Sequence, residues 1–82
     1  MSRKDKLLQR LREIPADFSW QELETLLGHL GYRVIAGDGS RVKFDNGQPE
    51  HLISLHKPHP GSIMKRYALR QVIEKLEKAG LL

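Results

Sequence analysis

Apolar and polar positions alternate along this chain with two different periods, and the change of period divides it. In KDKLLQRLREIP, Leu7, Leu8, Leu11 and Ile14 recur at spacings that put them on one side of a helix, with Lys4, Arg10 and Arg12 turned elsewhere and Pro15 ending it. SWQELETLLGHLGY opens with Ser19 and Glu22 at capping-box spacing, continues with Leu23, Leu26, Leu27 and Leu30 at helical intervals, and stops at Gly31. From Tyr32 the period falls to two. YRVIAG reads as a strand, Gly37-Asp38-Gly39 as a tight turn, and SRVKF as a second strand in which Val42 and Phe44 alternate with Arg41 and Lys43. DNGQP supplies another turn and HLISLH a third strand. From about Tyr67 onward, Leu69, Val72, Ile73 and Leu76 mark a further helical stripe, closed by Gly80. The predicted order is helix, helix, strand, strand, strand, helix.

A three-stranded antiparallel meander must bury one face, and the two longer helices are the elements able to cover it, which makes the fold α+β. If Val42 and Phe44 point inward, Ile53 and Leu55 are their partners on the third strand, because directly opposed residues share a face. Parity then turns Arg41, Lys43, Ser54 and His56 outward. A register with Arg41 opposite His56 and one with Arg41 opposite Ser54 satisfy the face rule equally. Either way a guanidinium, an ammonium and an imidazole share one open surface, beside the KPHPG loop that carries Lys57 and His59. That constellation suits a phosphodiester.

Size and composition narrow the reading. A chain of 82 residues predicts one small domain, burying about three-fifths of its unfolded surface, so any site is expected to be shallow. With no cysteine, neither disulfides nor thiolate zinc sites are available, and stability must come from packing. MSRKDKLLQRLREIP is charged throughout and has no uninterrupted apolar run, which argues against a secretory signal or membrane span and predicts a soluble, cytoplasmic protein. The net charge of +4 is concentrated at the two ends, while residues 15–64 carry more anions than cations. Solvated helix faces and a nucleic-acid surface are both compatible with that placement.

Other chemistries fit less well. His51 and His56 fall on opposite faces of a strand, no acidic residue adjoins His56 and His59, and no metal site is expected. The glycines sit at turns, and no G-x-x-x-x-G-K-[ST] stretch occurs, so no nucleotide cofactor is implied. His29 lies off the leucine stripe of its helix and reads as solvated; Trp20, in the first turn beside Leu23, reads as core rather than as a base-stacking ring.

Gly39-Ser40-Arg41-Val42-Lys43-Phe44, the strand end Leu55-His56-Lys57-Pro58-His59-Pro60-Gly61, Lys65, and the terminal helix ending Lys78-Ala79-Gly80-Leu81 together resemble the HicA family of toxins from bacterial type II toxin–antitoxin pairs. The resemblance covers residues 18–82, with 1–15 as an N-terminal helical extension. It implies an α-β-β-β-α fold similar to double-stranded-RNA-binding domains, an mRNA interferase (endoribonuclease) activity that needs no metal or other cofactor, and neutralisation by a HicB antitoxin. Familiar members resemble G-S-H-x-x-F, whose histidine is held responsible for cleavage, and Arg41 stands at that position here. His59 matches a histidine common at the end of the family's third strand.

Three readings follow from the arginine. Arg41 supplies charge while His56 or His59 transfers protons; or the domain binds RNA and cuts poorly or not at all; or the histidines are a polar strand end and the likeness reflects ancestry alone. Lys43, Lys57, Lys65, Arg66 and Arg70 are the expected phosphate contacts, each of which taken singly also reads as an ordinary solvated side chain. The expected partners are RNA and an acidic HicB-like protein over the open sheet face. The stripe of the first helix has three occupants to choose from: its own domain, a second copy in a homodimer, or the antitoxin.

Overall fold

The computed structural model describes residues 2–36 and 39–82. Helix α1 (Arg3–Arg12) starts at Ser2, whose hydroxyl accepts from the Asp5 N–H at 3.2 Å. Helix α2 (Trp20–His29) has the capping box its sequence predicts: Ser19 Oγ accepts from the Glu22 N–H at 3.1 Å, and Glu22 Oε1 accepts from the Ser19 N–H at 3.0 Å. Its C-terminus closes with Gly31 at φ 91°, the Gly31 N–H donating to the Gly28 carbonyl and the Tyr32 N–H to the Leu27 carbonyl. That left-handed position explains the glycine, since a side chain there would crowd its own backbone.

Strands β1 (Arg33–Ala36), β2 (Arg41–Asp45) and β3 (Ile53–His56) form an antiparallel sheet in the order β1-β2-β3. The turn predicted at Gly37-Asp38-Gly39 falls outside the described residues at its first two positions. The β2–β3 connection is held by two side-chain-to-backbone bonds, Gly47 N–H to Asp45 Oδ1 at 3.1 Å and Gln48 N–H to Asn46 Oδ1 at 3.0 Å. β3 begins two residues later than the HLISLH reading, because Pro49–His51 form a short 3₁₀ turn. Pro49 has no N–H to give a ladder and suits the first turn of a helix, and the Tyr32 hydroxyl donates to the His51 carbonyl at 3.0 Å. Helix α3 (Arg66–Lys78) completes the chain.

One core joins all of these. Phe44, Ile53 and Leu55 on the inner sheet face meet Leu23, Leu26 and Leu27 of α2 and Leu69, Val72 and Leu76 of α3. Trp20 is buried, its ring 5.6 Å from that of Phe44 and tilted by 51°, a geometry worth about 0.5–1.5 kcal/mol beyond the area it buries. The expectation of a core tryptophan is met.

α1 packs on α2 and α3 of its own chain, burying Leu7 and Leu11. Arg10 fixes the junction: it pairs with Asp17 at 2.9 Å and with Glu22, and its guanidinium lies 5.3 Å from the centre of the Phe18 ring. Glu22 thus caps α2 with one oxygen and anchors α1 with the other. The order from α2 to α3 is the α-β-β-β-α order the resemblance implied, with α1 added in front. No helix among the described residues is long and apolar enough to cross a membrane.

Candidate nucleic-acid interface

The helices occupy one side of the sheet, so the opposite side is set by strand parity. Of the two registers the sequence allowed, the fold takes the one that places Arg41 opposite His56, with Lys43 opposite Ser54. Val42 and Leu55, and Phe44 and Ile53, pair on the inner face as expected. Facing pairs in an antiparallel ladder keep their Cβ atoms within about 4.5–5.5 Å, so the Arg41 and His56 side chains leave the sheet side by side. β1 adds Arg33 and Ile35 to the same face, opposite Asp45 and Lys43.

Among the described residues the electrostatics of this face are one-sided. Its carboxylate, Asp45, is half-buried and committed: one oxygen accepts from Gly47 and the other lies 3.6 Å from Arg33. Arg41, Lys43 and His56 are exposed, and among the described residues neither cation pairs with a carboxylate. The same holds for Lys57, Lys65, Arg66 and Arg70. Arg33 on the same face, and Arg10 and Lys78 elsewhere, each have an anionic neighbour, whereas Arg3, Lys4, Lys6, Arg12 and Lys75 have none among the described residues, so an unpaired cation is not peculiar to this face.

The KPHPG loop is pinned at both ends. At its start the Lys57 N–H donates to the Ser40 carbonyl at 2.8 Å, extending the β2–β3 ladder by a step. At its far end Ser19 and Ile63 form an isolated antiparallel bridge, with the Trp20 N–H donating to the Ser62 carbonyl at 2.6 Å and the Met64 N–H to the Phe18 carbonyl at 2.7 Å. The loop therefore lies between the end of β3 and the start of α3, and encloses a shallow cavity of about 270 Å³. His56, Lys57, His59 and Lys65 all border that cavity, and among the described residues no acidic one does.

The fold thus brings together Arg41, His56, His59, Lys57 and Lys65, with Lys43 one pair further along the open face. It does not bring Arg66 and Arg70 to the cavity; both are exposed on α3, one helical turn apart. His29 is exposed on α2. His51 is tied into the 3₁₀ turn, its ring 3.5 Å from the Asn46 amide. Among the described residues no group of three or more His, Asp or Glu side chains is placed to hold a metal ion.

The Ser19–Ile63 bridge had no counterpart in the sequence reading, which left residues 62–64 without an element. The signal was there in short form: Ile63 is exposed and Met64 buried, the alternation of a strand, but over a span too brief to stand out.

Searches of curated proteins and of solved structures returned no match. A family model described as HicA toxin of bacterial toxin-antitoxin, however, matches residues 20–81, from the first turn of α2 to the end of the chain's last helix and beyond, and on that coverage the chain belongs to the HicA toxin family.

Proposed function

We propose that this chain, the toxin member of a toxin–antitoxin pair by its family, is a metal-independent endoribonuclease whose substrate lies across the open sheet face and the KPHPG loop. The observation that carries the reading is the pairing of Arg41 with His56 at the lip of a cavity that also holds His59, Lys57 and Lys65 and, among the described residues, no carboxylate.

Cleavage of an RNA phosphodiester without a metal needs three things. The 2′-hydroxyl must lose its proton as its oxygen attacks phosphorus, the charge on the non-bridging oxygens must be stabilised, and the departing 5′-oxygen must gain a proton. An imidazole serves either proton step, and a guanidinium serves the charge while remaining protonated throughout. In this reading His59 and His56 carry the proton transfers, Arg41 stabilises the phosphorane, and Lys43, Lys57 and Lys65 hold flanking phosphates. Arg66 and Arg70 extend the cationic surface along α3.

Arg41 itself supports a second reading, in which the domain holds RNA without cutting it, because arginine cannot act as a base at the position where familiar family members resemble G-S-H-x-x-F. The cognate antitoxin, on either reading, is an acidic protein that covers the same face and excludes RNA by occupying it. The deciding experiment uses purified protein and a mixed-sequence RNA. Wild type cleaves without added metal, His59→Ala abolishes cleavage, and the far-ultraviolet spectrum of the variant is unchanged. Undiminished cleavage by His59→Ala removes His59 from the chemistry, and absence of cleavage by wild type while it still binds RNA selects the second reading.

A further inference from the structure

Among the described residues, four large apolar side chains are notably exposed: Val34, Ile35, Ile63 and Tyr67. Val34 and Ile35 sit on the edge strand β1. Ile63 and Tyr67 do something different, because both border the cavity that His59, Lys57 and Lys65 line, with the buried side chain of Met64 beside them. Tyr67 is 58% exposed and Ile63 49%, so apolar and aromatic surface faces water in a cavity that two lysines also line. A single exposed aromatic residue on a small domain needs no explanation. Two apolar side chains in one concavity, rimmed by cations and, among the described residues, by no anion, suit a ligand that is flat and apolar on its faces and negative at its edge.

We infer that the cavity between the KPHPG loop and the first turn of α3 is a nucleobase subsite, in which Tyr67 provides the stacking surface for one unpaired base of the RNA. This rests on the nuclease reading and adds to it: it names single-stranded RNA as the substrate form and Tyr67 as a residue that positions the strand. Every base has a π-face, so stacking on a phenol ring grips a strand with little regard to sequence. Ile63 packs against the same base, and Lys57 and Lys65 meet the phosphates on either side of it. A volume of about 270 Å³ lies just under the range of drug-sized ligand pockets, as suits one base rather than a dinucleotide.

The test uses a short single-stranded RNA carrying 2′-fluoro substitutions, which removes the attacking hydroxyl, and one 2-aminopurine whose emission falls when it stacks. Wild type binds and quenches the probe. Tyr67→Ala weakens binding by about 5- to 150-fold, the range that base–aromatic stacking covers on alanine substitution, and loses the quenching. Tyr67→Leu behaves like the alanine variant, whereas Tyr67→Trp keeps both signals. Because the side chain is largely solvated, thermal unfolding of all three stays at the wild-type midpoint. If Tyr67→Ala binds and quenches as wild type does, the subsite is overturned while RNA binding stands. If wild type binds no RNA, the nuclease reading falls and takes the subsite with it. If RNA binding is unchanged but capture by the purified cognate antitoxin weakens, the cavity belongs to the protein partner and the nucleobase assignment is wrong.

Discussion

Removing Arg41 and Lys43 together tests where RNA lies on the molecule, with a magnitude that follows from charge counting. Both side chains are exposed on the open face and pair with no carboxylate among the described residues, so Arg41→Ala/Lys43→Ala breaks no ion pair there. Each cation that neutralises a phosphate of a single strand releases condensed counterions and adds about 0.7 to the slope of log affinity against log salt. Losing two lowers that slope by about 1.4, so between about 50 and 200 mM salt the variant loses roughly sevenfold less affinity than wild type does. Fluorescence anisotropy of a labelled, non-cleavable RNA titrated across potassium chloride reads the slope directly. The matched control is Lys6→Ala/Arg12→Ala, which removes equal charge from the exposed side of α1, on the helical side of the sheet. An equal drop in both double variants would mean that RNA responds to the net charge of the domain and not to its open face, and the placement of the interface would be refuted.

Two further outcomes concern stability. Leu11 of α1 is fully buried against α2 and α3, so Leu11→Ala should cost about 2–5 kcal/mol in urea unfolding; a loss under about 1 kcal/mol would show α1 to be only loosely docked. The Tyr32 hydroxyl is pushed above its ordinary value near 10 by burial, so its contribution is intact below about pH 10 and is lost as pH rises through the folded-state value, where the unfolded chain has already released the proton. Tyr32→Phe should cost about 1 kcal/mol at neutral pH through the lost bond to His51, and its deficit relative to wild type should shrink above pH 10 in unfolding titrations; a constant deficit would contradict the assignment.

The elements were legible where a period ran long enough to be read. Three helical stripes located the three helices, the short stretches YRVIAG, SRVKF and HLISLH located the three strands, and the Ser19–Glu22 spacing marked the start of α2 to the residue. Parity alone set which side chains face out from β2 and β3. The register was not legible, because a shift of two residues preserves every face and only the turn geometry distinguishes Arg41 opposite His56 from Arg41 opposite Ser54. The late start of β3 was signalled only by a brief break in the alternation, because the parity of Ile53 and Leu55 would turn apolar Leu52 outward and His51 inward, and the bond from Tyr32 to the His51 carbonyl comes from far back in the chain. The docking of α1 was likewise a matter of partners, since Arg10 reads as a solvated cation until Asp17, Glu22 and Phe18 are brought around it. The candidate site was foreseen as a list of cations and imidazoles; that Arg66 and Arg70 stand apart from the cavity followed only from the direction in which α3 leaves Lys65.

The Ser19–Ile63 bridge has a consequence in time as well as in space. Its two halves lie on either side of the whole sheet in sequence, so the loop that carries His59 cannot be held in place until the chain has been made through Met64 and returned to meet Phe18 and Trp20. Closure of so long a loop comes late in folding, after the local helices and hairpin. A nascent chain on the ribosome, surrounded by RNA, therefore carries the cations of β2 well before it carries an assembled cavity.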